Sequence, residues 1–117
     1  MKRLLIAVAL VTILSAQTTL QKKWTALTTT GTTALFSVPG YTFHTVQAIV
    51  TGSPSGCTMH LEGSLDTVNW ADLSGDQTCT STVMFHVTSR AVAAVRVNLT
   101  ALTGGTSPTV TIYYQGR

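Results

Sequence analysis

The sequence predicts an all-β fold: an antiparallel β-sandwich of jelly-roll type with about seven or eight strands, behind a short apolar N-terminal segment. Three observations predict it. Runs of alternating apolar and polar residues recur along the chain; Gly, Pro, Ser and Asn clusters separate them at short intervals; and no window holds a sustained helical period. Composition agrees, because the 117 residues are 44% hydrophobic but only 9% charged, against about 25% charged in an average soluble domain. The polarity comes from Thr, Ser and Asn. Thr is β-branched, loses rotamer freedom in a helix and sits well on a pleated, half-buried surface. A chain of this length fits one domain with a modest two-layer core, read as residues 17–117.

Residues 1–16 have the make-up of a signal peptide. Lys2 and Arg3 form a basic start, residues 4–14 an apolar run, and Ser15 and Ala16 a small-residue end before polar Gln17. The run is shorter than the roughly 20 residues that cross a bilayer, so no stable transmembrane anchor is expected, and cleavage after Ala16 is the first choice. Leu14 is bulkier than the usual small residue two positions before the cleaved bond. The alternatives are a buried first element of the domain or a retained lipid-facing anchor.

After a Thr-rich lead-in, residues 32–38 form the first clear strand, closed by Pro39-Gly40. Residues 41–51 form the next, with His44, Val46, Ala48 and Val50 on one face and Phe43, Thr45, Gln47 and Ile49 on the other. Gly52-Ser53-Pro54-Ser55-Gly56 turns the chain, since Gly permits positive φ and Pro fixes φ. Cys57, Met59, Leu61 and Gly63 then share the apolar face of a strand whose other face carries Thr58, His60 and Glu62. A polar connection (64–69) leads to a short strand at 70–73, opened by Trp70, and to the turn Ser74-Gly75-Asp76-Gln77. Val83, Phe85 and Val87 alternate with Met84, His86 and Thr88; Val95, Val97 and Leu99 with Arg96, Asn98 and Thr100; and Val110, Ile112 and Tyr114 with Thr109, Thr111 and Tyr113. The last two runs, joined by Gly104-Gly105-Thr106-Ser107-Pro108, are expected to pair as a hairpin.

Cys57 and Cys79 are an even pair in a small chain, and with an export signal they are expected to form a disulfide. Closing a loop of about 20 residues stabilises by about 3 kcal/mol in the chain-entropy description. Two buried thiols or half of a metal site are the alternatives. His44, His60 and His86 lack the close paired spacing of a zinc motif, so no metal and no cofactor are expected.

The formal charge of +3 implies little about partners. Without residues 1–16, Lys22, Lys23, Arg90, Arg96 and Arg117 face Glu62, Asp66, Asp72 and Asp76, and five against four leaves +1. No basic stripe remains to neutralise phosphates, so nucleic acid is not an expected partner.

The stretch from Leu61 to Trp70, with its Glu62-Gly63-Ser64, Asp66 and Asn69-Trp70, is followed by Val95-Arg96-Val97 and by Gly104-Gly105-Thr106-Ser107-Pro108-Thr109-Val110-Thr111. Together these resemble small β-sandwich modules of tailed-phage virion and prophage proteins, over residues 32–116. The resemblance implies a sandwich fold and a role in capsid decoration, fibres or tails, with protein partners in a homo-oligomer or virion. A leader and a cysteine pair depart from what a protein assembled in the cytoplasm would carry. Taken physically, the same residues are architectural: Asp66 and Asn69 bond backbone in a tight loop, Trp70 plugs the sandwich end, and Arg96 either pairs with Glu62 across strands or covers apolar surface with its stem.

Catalysis is not expected. Glu62 and Asp66 lie on a strand and its adjoining turn, where solvated surface is the commoner fate of a carboxylate pair, and no Gly-x-Ser-x-Gly elbow surrounds a serine. The expected function is therefore a structural or interaction module, secreted or on a virion surface. The alternative is an exported carbohydrate-binding module that would use Tyr41, Tyr113 and Trp24 as ligand-binding rings. Asn98-Leu99-Thr100 matches a glycosylation acceptor, but in mid-strand. Because charged blunting of edges is scarce, residues 32–38 and 109–114 are the expected assembly edges.

Overall fold

A computed structural model describes residues 19–117; the expected leader, residues 1–16, lies outside the described residues. In chain order the strands are β1 (Leu20–Leu27), β2 (Gly31–Thr32), β3 (Phe36–Ser37), β4 (His44–Thr51), β5 (Gly56–Ser64), β6 (Ala71–Asp72), β7 (Gln77–Thr78), β8 (Val83–Val87), β9 (Ala94–Thr103) and β10 (Thr109–Gly116). They form two antiparallel sheets. The first, sheet A, has the order β1-β10-β4-β8; the second, sheet B, has β2-β9-β5-β6, with β3 also on β9 and β7 also on β5.

β2 and β3 are two pieces of one strand position, as are β6 and β7, so the sandwich has eight positions. Thr33 bridges the first pair of pieces: its amide donates to the Val97 carbonyl at 2.9 Å, and the Val97 amide donates to the Thr33 hydroxyl at 3.0 Å. The chain changes sheet at every connection between positions except β5 to β6. That wrapping is the jelly roll expected from the sequence.

Alternation fills the core. Val46 and Ala48 of β4, Met59 and Leu61 of β5, Val95, Val97 and Leu99 of β9, and Val110 and Ile112 of β10 are buried between the sheets, with Phe85 and Val87 of β8 beside them. Each inward set named above faces this core. His44 belongs to it as well, and is polar but satisfied: Nδ1 bonds the Tyr114 hydroxyl and Nε2 lies 2.8 Å from the Arg90 carbonyl. Burial pushes the Tyr114 phenol well above its usual pKa.

Three expectations need correction. The hairpin between the last two long strands does not form. β9 is flanked by β5 and by β2 and β3 in sheet B, β10 lies between β1 and β4 in sheet A, and the 104–108 segment carries the chain from one sheet to the other. Gly104 and Gly105 have φ of +73° and +69°, and a side chain at Gly105 would strike the Gly52 and Ser53 carbonyls, because this crossing packs backbone to backbone on the 52–55 turn. Secondly, β10 is central, so residues 109–114 are not an assembly edge. Thirdly, β1 is a full strand inside the supposed lead-in. Its pattern is obscured by Lys22, which shares the inward row with Leu20 and Trp24, and by a bulge before Leu27 where Ala26 adopts φ +47° and donates its amide to Thr111 Oγ1 at 3.0 Å.

Candidate functional site

The sandwich shows two outer faces, and the side chains that β5 and β9 turn away from the core build the first. Register sets Glu62 opposite Arg96 and His60 opposite Asn98. Arg96 Nε donates to Glu62 Oε1 at 2.8 Å, one of the two roles the sequence left open for it, and Asn98 Nδ2 donates to Glu62 Oε2 at 3.1 Å. His60 Nε2 lies 2.8 Å from the same Oε2, and its Nδ1 lies 3.2 Å from Asp76 Oδ1 in the turn between β6 and β7. Partial burial penalises the Glu62 charge, but the bonds from Arg96, His60 and Asn98 outweigh it, and its pKa falls below the usual 4.5.

Trp70 is half-buried on this face, with the Arg96 guanidinium carbon 4.3 Å from its ring centroid. It is a cation-π partner, not the core plug expected at the sandwich end. Next to it, the 64–69 loop closes on Asp66 as predicted. One carboxylate oxygen accepts the Val68 and Asn69 amides at 2.9 and 2.8 Å and the other accepts Asn69 Nδ2 at 2.7 Å. Those bonds, with one from Ser64, hold the Asp66 carboxyl far below the usual carboxylate range.

His60, Asp72 and Asp76 bring one ligand atom each to within 4.8 Å of one another. Asp72 Oδ1 already caps the following turn through the Ser74 and Gly75 amides, and both His60 nitrogens are engaged. The group is a hydrogen-bonded node and is not assigned as a metal centre.

The outer face of sheet A is different in kind. Lys23, Tyr113, Gln47 and Met84 form one cross-strand row, and Gln21, Gln115, Thr45 and His86 the next. Gln21 Nε2 donates to Gln115 Oε1 at 2.8 Å, and Lys23 Nζ stands 5.2 Å from the Tyr113 ring centroid. All of these except His86 line a shallow hollow of about 590 Å³ that contains no carboxylate.

The three candidate rings are not brought together. Tyr113 is on this face and 42% exposed. Tyr41 is half-buried against the core. Trp24 is 7% exposed, packs against Tyr114, and donates Nε1 to the Ala34 carbonyl at 3.1 Å; its inward place on the unrecognised β1 removes it from the surface. Cys57 and Cys79 are joined by a disulfide, which fastens the end of the β7 piece to β5. Asp72, Asp76, Gln47, Gln115 and Met84 were not singled out for these faces by the sequence. Alternation could have placed the last three on sheet A, but nothing local tells that Asp76 reaches back to His60.

No protein-family model matches the chain, and no curated protein matches it. Among solved structures it is similar to the crystal structure of SPBc2 prophage-derived protein YomS, with a TM-score of 0.64 and 14% identity, over 88% of this chain and 97% of that one. At that identity the likeness is one of fold.

Proposed function

We propose that this protein is a non-catalytic structural module of phage or prophage origin that works by assembly, as a decoration, fibre or tail component of a virion or within another surface assembly. The observation that carries this reading is the likeness to a prophage-derived protein over nearly the whole of both chains. What the two have in common is the sandwich itself, which leaves the surface of the fold as the working part. An extracellular or virion-surface location is compatible with the Cys57–Cys79 disulfide, a bond that persists in oxidising surroundings.

Within the described residues the edge best suited to association is β8. It pairs only with β4, is five residues long, has no Lys, Arg, Asp or Glu, and sets the 52% exposed Met84 beside its open side. The test is size-exclusion chromatography with light scattering. The purified chain is expected to run as a defined multimer, and Met84→Lys, which charges the edge without entering the core, is expected to run as a monomer with unchanged circular dichroism. A monomeric wild-type protein retained on a glycan array would replace this reading with the sugar-binding one.

A further inference from the structure

His60 has a carboxylate on each ring nitrogen: Glu62 on Nε2 at 2.8 Å and Asp76 on Nδ1 at 3.2 Å. A neutral imidazole carries one N–H and one lone pair. In the neutral ring, therefore, one of these contacts sets a nitrogen lone pair against a carboxylate oxygen. Only the imidazolium donates to both. The two sides are unequally held: Glu62 is fixed from β9 by Arg96 and Asn98, whereas Asp76 is 70% exposed at the tip of a turn and makes the longer bond.

We propose that His60 is a proton-operated clamp, tying the turn between β6 and β7 to the outer face of sheet B when the ring carries both protons and releasing the Asp76 corner when it carries one.

The charged groups around the ring favour the second proton. Glu62 comes from β5 itself, Asp72 from β6, Asp76 from the turn, and β9 contributes Arg96, bonded to Glu62, together with neutral Asn98. Three carboxylates thus face one guanidinium. Partial burial works against a charged ring, but the Glu62 bond, the Asp72 charge and the Asp76 bond together outweigh it, and the His60 pKa is raised above 6.5.

The pH window follows from linkage. The His60 contribution is fully present below its ordinary 6.5 and is lost as pH rises through the raised value. The Glu62 contribution is present above its ordinary 4.5 and is lost as pH falls through the lowered value. The clamp is therefore strongest in mildly acidic solution. Above that range the change is local, because the rest of the corner has other ties. β7 stays paired with β5, the Leu61 amide bonds Ser74 Oγ at 2.9 Å, and the disulfide follows immediately. Deprotonation frees one acidic corner without unfolding the sheet.

Nuclear magnetic resonance titration of the full chain, read on the ¹⁵N-labelled imidazole rings, tests the proposal. His60 is expected to titrate above 6.5, to show both nitrogens protonated near pH 6, and to lose backbone order at Gly75 and Asp76 across its own transition. Asp76→Asn, on an exposed turn, is expected to keep the sheet intact by circular dichroism and to move the His60 transition down towards 6.5. A His60 that titrates at or below 6.5, that holds one proton near pH 6, or that is unmoved by Asp76→Asn overturns the clamp.

Discussion

The two outer faces of the sandwich are built on the same strand alternation and carry opposite chemistry. Sheet B interlocks its charges, Arg96 with Glu62, Glu62 with His60 and His60 with Asp76, and ends at both sides in strands of two residues. Sheet A shows amides, Tyr113, Met84 and Lys23, and ends in β1 of eight residues and β8 of five. All four acidic residues of the chain fall between positions 62 and 76, within or beside sheet B. A chain with so few charges has placed its carboxylates where the sheet edges are already short; of the longer edges, β1 carries Lys22 and Lys23 and β8 carries no charged residue. Short edges, interlocked charges and edge lysines all resist pairing with another chain, so in the assembly proposed above β8 is the edge left for contact.

The comparison concerns the outer faces only, and the largest effects should ignore it. Leu61→Ala on the inner face of sheet B and Ile112→Ala on that of sheet A, both fully buried, are each expected to cost about 2–5 kcal/mol in urea unfolding. A clear inequality would mean that the sheets differ in their cores as well. Reducing the Cys57–Cys79 bond acts on sheet B alone and is expected to cost about 3 kcal/mol, read as a lower unfolding midpoint in dithiothreitol. An unchanged midpoint would show that β5 holds β7 without it. The smallest contrast is the most specific. Glu62→Ala, which leaves Arg96, Asn98 and His60 without their common acceptor, is expected to cost about 1–3 kcal/mol, whereas Gln115→Ala on the exposed face of sheet A should stay within about 0.5 kcal/mol. Equal losses would erase the distinction between a linked face and an open one.

Much of this was legible in the sequence, and the limits have physical causes. The inward sets of β4, β5, β8, β9 and β10 follow from period-two alternation, since burial on one face is what selects it. The Arg96–Glu62 pair could be anticipated as one option because both residues carry opposite charge on the polar faces of alternating strands. Which strand pairs with which could not, because a Gly-rich segment reads the same whether it closes a hairpin or carries the chain to the other sheet, and the 104–108 segment does the latter. β1 was hidden by an inward Lys22 and a bulge, both of which break the pattern that reveals a strand. Trp70 was misplaced because a large ring beside a strand suggests core, while its actual neighbour, Arg96, comes from β9, 26 residues further along the chain. The His60 node was half visible: Glu62 shares its strand face, but Asp76 arrives by way of β6 and a turn.

The placement of β10 also sets an order of events during synthesis. Of the described strands it is the last to be made, yet it lies in the middle of sheet A, between β1 and β4. Until it emerges from the ribosome, β1 lacks its partner in sheet A and β4 has only β8, so sheet A stays in two unjoined parts. Sheet B does not depend on β10 and has all its strands by residue 103. A growing chain therefore passes through a stage in which half the core is roofed and the other half stands open, the kind of intermediate that aggregates when it lingers. Loss of residues 109–117 should thus be far more damaging than the loss of an edge strand such as β8, because it removes the strand that joins β1 to β4.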